Sequence, residues 1–398
     1  MISVSNIAAL SFFLVSLCIV ATFVVGQFFS FLVFFVLILA VIVFIWSGGR
    51  FKGRFNLELL LCFFCLLSSV FSYRFGSYGG FYLSSFMFLS FLFSLTFYSI
   101  SFSESYFLVG AHKAIKVVFL LYLSYLIFCF VLKGVGPLSA DDYLAIGSRN
   151  MVSAVLIYLQ IIYSIIFFYR FSSVPVLTPI ITFIVCLFLF GRSGILISGI
   201  WLAVSIFYRV SEKKYSVSAF LILAFFVIFA ISDVPDTAFH YLILETKFRH
   251  GFESNRMEMW VEYFLSIDIL SFFVGQSYDL SPSIEIYGGG SPHSSFINGH
   301  HFMGFPYLVL IALMFFRSVF FAFFNGFFVF IGFFLLVFRA GFDVIAMPGL
   351  FSVFVFLAYF LCFSSVSCKC KNHFSVVSAQ GHLPGQRIIG LSSAQKHE

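Results

Sequence analysis

Apolar runs of about 15 to 22 residues, almost free of charge, follow one another from residue 7 to residue 364. A helix needs roughly 20 apolar residues to cross hydrocarbon, and a run of that kind has nowhere else to go. The chain carries 10% charged residues and is 62% hydrophobic, whereas ordinary soluble domains hold about 25% charged residues. One water-soluble core is therefore excluded. Ten-residue segments of alternating polarity, the mark of a membrane barrel, are not seen. The expected fold is all-α, a polytopic membrane helix bundle.

Twelve spans are expected, near 7 to 25, 28 to 46, 57 to 72, 81 to 100, 117 to 132, 151 to 169, 174 to 190, 194 to 208, 218 to 232, 305 to 320, 323 to 338 and 347 to 364. Between 305 and 338 only Arg317 and the turn-like Asn325-Gly326 interrupt the apolar sequence, so one long helix there would change the parity. Positive charge retained near span ends marks the cytoplasmic side. With the N-terminus inside, 14 of the 22 Lys and Arg residues fall there, among them Arg54, Lys113, Lys116, Arg170, Arg209 and Arg317. Arg74, Lys133, Arg149, Arg192, Lys247, Arg249, Arg256 and Arg339 fall outside, and both termini are then cytoplasmic. The first span has neither a charged leader nor a cleavage pattern and reads as a retained helix.

Most of the eight cysteines lie inside apolar runs, as small hydrophobes do. Cys368-Lys369-Cys370 is spaced too closely for an ordinary zinc half-site. Residues 1 to 364 form the expected bundle, and the Ser-, Gly- and Gln-rich stretch from 365 to 398 reads as a disordered cytoplasmic tail.

Two sizeable loops stand on the outside: 133 to 150, and 233 to 304. Long loops beside short connections usually carry function. Within the second, Met257, Trp260, Val261, Phe264 and Leu265 recur at helical spacing. They predict an amphipathic helix near 255 to 267, with Asn255 and Glu258 as its start signal. It is too short and too charged to span, so its stripe should pack on the bundle or lie in the membrane interface. Arg256 and Trp260, four residues apart, share a face. A helix start attracts anions through its backbone N–H groups, which favours an anion-binding reading of Arg256 over a solvated one.

"LFLFGRSGILISG" sets Arg192 between two glycines and two apolar runs. A guanidinium near membrane depth costs roughly 2.5 to 3.5 kcal/mol at a helix centre and should face protein or water. An anion is its expected partner. Arg149 and Asn150 open the sixth span on the same side, where Arg149 is either a further phosphate ligand or a partner of Asp141. Asp141 and Asp142 lack a third hard ligand nearby and read as solvated loop residues.

"GGGSPHSSFINGHH", residues 288 to 301, gathers His293, His300 and His301, three of the nine histidines. Hydrogen bonding to loop backbone is the ordinary role for two of the three. His293 is the candidate that can take a proton from a hydroxyl or donate to a phosphate. No carboxylate or thiolate at a familiar interval supports zinc.

"GRSG" at 191 to 194, "NRMEMW" at 255 to 260 and "PHSSF" at 292 to 296, in this span layout, resemble the O-antigen polymerase (Wzy) and O-antigen ligase (WaaL) superfamily. The layout matches over most of the chain and the motifs over some fifteen residues. The resemblance implies a GT-C-type glycosyltransferase of the bacterial inner membrane with its site facing the periplasm. It implies an undecaprenyl pyrophosphate-linked glycan as donor, with no cofactor and no metal. Arg192 and Arg256 would hold the pyrophosphate and His293 would help to activate the acceptor. Arg149, Asn150, Trp260, His300 and His301 would bind substrate, and Glu258 and Glu262 are fallback bases. Between 233 and 285 the long loop sets Lys247, Arg249 and Arg256 against nine acidic residues. A negative surface repels phosphorylated lipid A-core, which favours a polymerase, with a chain-length-regulating co-polymerase as possible partner, over a ligase. A transporter would be expected to carry charges in mid-span.

Overall fold

A computed structural model describes residues 4–47, 53–72, 79–101, 105–212, 256–288, 291–325, 327–342 and 347–363, all within one compact unit, Met1–Ser364. Among these residues every regular element is helical. The helices are α1 (Val4–Val24), α2 (Phe28–Trp46), α3 (Asn56–Ser72), α4 (Gly80–Ser101), α5 (Ser105–Lys133), α6 (Pro137–Asp141), α7 (Arg149–Phe171), α8 (Leu177–Phe188) and α9 (Arg192–Glu212). After residues outside the described set come α10 (Arg256–Leu265), α11 (Ile269–Val274), α12 (Pro282–Gly288), α13 (Ser295–Met303), α14 (Phe305–Asn325), α15 (Phe327–Ala340) and α16 (Ser352–Cys362).

Seven of the described helices, α1, α2, α4, α5, α7, α9 and α14, are long and apolar enough to cross a membrane, and α3, α8, α15 and α16 are shorter apolar helices. Each meets one of the expected spans. The span expected at 218 to 232, Asn255, and the tail from 365 lie outside the described residues. The chain is a multi-pass helical membrane protein, and its outside shows why. On α2, Phe28, Phe31, Phe35, Leu39 and Ile42 are exposed, while Val33, Leu37, Ala40, Val41 and Phe44 are buried. Large apolar side chains turned outward along a whole helix are intolerable in water and natural in lipid.

Helix α5 runs from Ser105, well before the expected start of its span at 117. His112, Lys113 and Lys116 do not break it, because none of the three is a helix breaker. Between 305 and 338 there are two helices, and Phe315 stacks near both Phe330 (6.5 Å) and Phe334 (6.1 Å), so the chain doubles back near Asn325. The core holds α16, all eleven of whose residues are buried, as expected of a helix apolar all round. It packs on α4, α7, α14 and α15.

Close helix approach uses small residues, since lipid supplies no hydrophobic drive between spans. At Gly332 of α15, an added Cβ would lie 3.0 Å from Ile165 of α7 and 3.1 Å from Trp201 of α9. Gly332→Leu should therefore push α15 off α7 and α9, and overpacking of this kind costs about 1–3 kcal/mol. A lower melting temperature of the detergent-solubilised protein, with Gly332→Ala affected much less, is the expected result.

Candidate functional site

Cations mark both ends of the bundle. Arg149 and Arg170 stand at opposite ends of α7, about 32 Å apart at 1.5 Å per residue. At the Arg170 end, Arg170 bonds His112 at 2.7 Å, and Arg317 meets Glu58 and, at 3.1 Å, the Arg54 carbonyl. The buried Glu58 also accepts from Tyr359. Arg149, Arg192, Arg256 and Arg339 belong to the other end, and the candidate site is built there.

The start of α9 lies directly on the start of α7. Phe190 turns the chain at φ 56°, unusual for a bulky residue, and Arg192 then opens α9. A Cβ on Gly191 would come within 3.0 Å of Asn150 Oδ1, and one on Gly194 within 2.8 Å of Ser153. The two glycines that flank Arg192 are thus the contact between the helices. Arg339, near the end of α15 and fully buried, reaches the same spot. Its Nη2 donates to the Asn150 carbonyl at 2.7 Å and to Ser153 Oγ at 3.2 Å. Asn150, expected to bind substrate, is thereby a junction of three helices.

The loop elements close on this junction. Three residues past Arg339, the Phe342 carbonyl accepts from Arg256 Nη1 at 3.4 Å, and the Phe342 ring lies 6.4 Å from Trp260. Arg256 and Trp260 do share a face of α10. Trp260 Nε1 donates to the Pro292 carbonyl at 3.0 Å, immediately before His293. His293 is half-buried with φ 49°, a left-handed backbone that costs a non-glycine residue free energy and so is held there by its surroundings. Ser295 accepts from the Met347 N–H at 3.1 Å through Oγ and from Tyr307 at 3.1 Å through its carbonyl. Phe296 packs against the Gly341 position. The three short motifs, far apart in sequence, thus meet at one end of the bundle through Asn150, Arg339 and Phe342.

Other candidates have structural work. Asp141 Oδ1 accepts the Arg149 backbone N–H at 2.8 Å, so this carboxylate caps α7 and is not merely solvated. Glu262 accepts from Ser283 N at 2.9 Å and from its hydroxyl, securing the start of α12. Glu258 and Glu262 line an open depression with Val261, Ser266, Ile286 and Tyr287, and its lining includes neither His293 nor the arginines.

His300 and His301 are buried beneath the site. His300 Nε2 donates to the Phe272 carbonyl at 3.1 Å, which leaves Nδ1 to accept from Tyr263 at 2.8 Å. His301 Nδ1 donates to the Gln276 carbonyl, and its ring stacks on Tyr278 at 3.8 Å. Both therefore bond to loop backbone, the ordinary role, His300 through Nε2 and His301 through Nδ1. Of the two places expected for the stripe on α10, packing on the bundle does not hold: Met257, Val261, Phe264 and Leu265 are exposed, Trp260 is half-buried, and Met259 and Tyr263 are the buried residues. The polar contacts of Trp260 and Tyr263 hold the other face inward.

Arg339 is the residue that sequence reasoning passed over. It was visible as a cation closing an apolar run, but a span-end arginine is ordinarily a topological marker. No protein-family profile, no curated protein and no solved structure matches the chain.

Burial lowers the pKa of His300 and pushes that of His301 down to about 4, against the raising effect of their carbonyl bonds. Below about 6.5, the ordinary histidine value, the unfolded chain then binds more protons than the folded one, so stability falls with falling pH. The melting temperature should drop between pH 7 and pH 4, and His301→Gln should make that drop shallower.

Proposed function

We propose that the protein is an O-antigen polymerase of the Wzy and WaaL superfamily, a GT-C-type glycosyltransferase with twelve spans. It transfers a growing glycan from undecaprenyl pyrophosphate to a sugar hydroxyl of another lipid-linked repeat unit. What supports this reading is that Arg339 and the glycines flanking Arg192 meet Asn150 and Ser153, while Arg256 bonds Phe342 and Trp260 bonds the Pro292 carbonyl next to His293, all at one end of a membrane bundle. Breaking a glycosyl phosphate bond loads negative charge onto the leaving pyrophosphate. Preplaced guanidiniums stabilise that charge most where water is scarce, and their planar forks suit phosphate oxygens. A hydroxyl activated on the opposite face of the sugar inverts the anomeric centre. His293 is the base in this scheme, with Glu258 and Glu262 behind it. Arg192 and Arg256 bind the pyrophosphate. Arg339 is a positioning residue that fixes Asn150 and, through the chain to Phe342, the place of Arg256.

In this reading the protein sits in the inner membrane of a Gram-negative bacterium, with the arginine end in the periplasm and both termini in the cytoplasm. The cation-rich Arg54, Arg170, Arg209 and Arg317 end suits the cytoplasm under the positive-inside rule. A chain-length-regulating co-polymerase is the partner this activity implies. Transfer to lipid A-core, the ligase reaction, is the second reading, and the acidic long loop weighs against it. Transport of a lipid-linked oligosaccharide stands third, because charges gather at helix ends.

In a strain lacking this protein and its long O-polysaccharide, the wild-type chain should restore long chains. Arg192→Ala, Arg256→Ala and His293→Ala, made in equal amounts, should each reduce polymer formation by about a hundredfold or more. Core capped by one repeat unit marks the lost polymerase, and bare core would show a ligase instead. Long chains retained by all three variants would end the enzyme reading.

A further inference from the structure

The side of α10 turned away from the buried Met259 and Tyr263 continues into α11 as an exposed apolar surface. Phe264 and Leu265 on α10, and Ile269, Leu270 and Phe273 on α11, are all exposed, Leu265 at 82% and Ile269 at 83%. Facing water, so much contiguous apolar area would be a liability. The corner between the two helices is capped from within: Ser271 N donates to Asp268 Oδ1 at 2.6 Å, and Asp268 N donates to Ser271 Oγ at 2.9 Å. The bend thereby satisfies the N–H groups of Asp268 and Ser271.

What covers this surface follows from its neighbours. Phe272 and Phe273 pack on Phe305 at 5.1 and 5.6 Å between ring centroids. Phe305 opens the membrane-crossing stretch Phe305–Ala322, whose Phe316 and Phe320 face outward. Helix α11 also packs on α3, and the exposed Val70 and Phe71 close α3. The exposed apolar side chains of α11 thus adjoin the lipid-facing helices α3 and α14.

We infer that the α10–α11 corner is seated in the bilayer boundary on the arginine side, with lipid covering Phe264, Leu265, Ile269, Leu270 and Phe273. From 257 to 288 the charged residues, Glu258, Glu262, Asp268, Asp279 and Glu285, are all acidic. Insertion of this corner therefore rests on apolar burial, unlike that of a basic interfacial helix. Arg256 and Trp260 lie on the flank of α10, between this exposed side and the buried Met259 and Tyr263. The inference does not depend on the proposed reaction.

The test uses the full chain with Cys368→Ser and Cys370→Ser, since the cysteines of the described residues are buried. Single Leu265→Cys, Ile269→Cys and, as control, Glu285→Cys variants carry a bimane label in phosphatidylcholine vesicles with brominated acyl chains. Strong bromine quenching at 265 and 269, with severalfold weaker quenching by aqueous iodide than at 285, is expected. Replacing part of the lipid by phosphatidylglycerol should leave the bromine signal unchanged. Iodide-accessible labels at 265 and 269 that bromine does not quench would overturn the inference. So would labels quenched by neither agent, which would place protein over the patch.

Discussion

A guanidinium buried in the end of a membrane bundle must be met by acceptors, because leaving a charged group unsatisfied in a low-dielectric interior costs far more than an ordinary hydrogen bond contributes. Through Nη2, Arg339 meets that demand at the Asn150 carbonyl and Ser153. The consequence is geometric. The end of α15 is tied to the start of α7, and the same residues of α7 receive the glycines that flank Arg192. With α15 fixed, Phe342 is where Arg256 and Trp260 find it. One buried cation thus orders the partners of the more exposed ones.

The two ends of the protein treat charge differently. At the Arg170 end, Glu58 is available to neutralise Arg317, and Arg54 and Arg317 lie over the rings of Phe321, Phe363 and Phe55. At the Arg192 end Arg339 and Arg256 donate to carbonyl and hydroxyl oxygens.

Most of the bundle was legible because lipid imposes a single rule on length and polarity, and eleven of the twelve expected spans meet an apolar helix. The rule is blind to direction. On α10 the periodicity was legible and its orientation was left open between bundle and membrane interface: lipid and core both accept Phe264 and Leu265, and the hydrogen bonds of Trp260 and Tyr263 help decide which face turns in. Arg192 was legible from its glycines, although these prove to be packing residues as much as hinges for a charged turn. Arg339 was not legible as a site residue, since nothing local distinguishes a cation that marks topology from one that a carbonyl 189 residues away has drawn into the interior. The histidines divide similarly. Composition located the cluster, whereas which ring bonds inward depends on the carbonyls of Phe272 and Gln276, which no pattern reveals.

Where the loop region joins the bundle, backbone rests on backbone. Gly304, with φ 63°, has no room for a Cβ, which would lie 2.1 Å from the Phe273 carbonyl, and Gly275 is equally confined against His301. A side chain at a seam can swing to another rotamer and open it, but two peptide planes in contact have no such freedom. The seam therefore behaves as a weld: α11 and the foot of α14 travel together, and any passage that widens for a bulky guest must do so along a border where side chains meet.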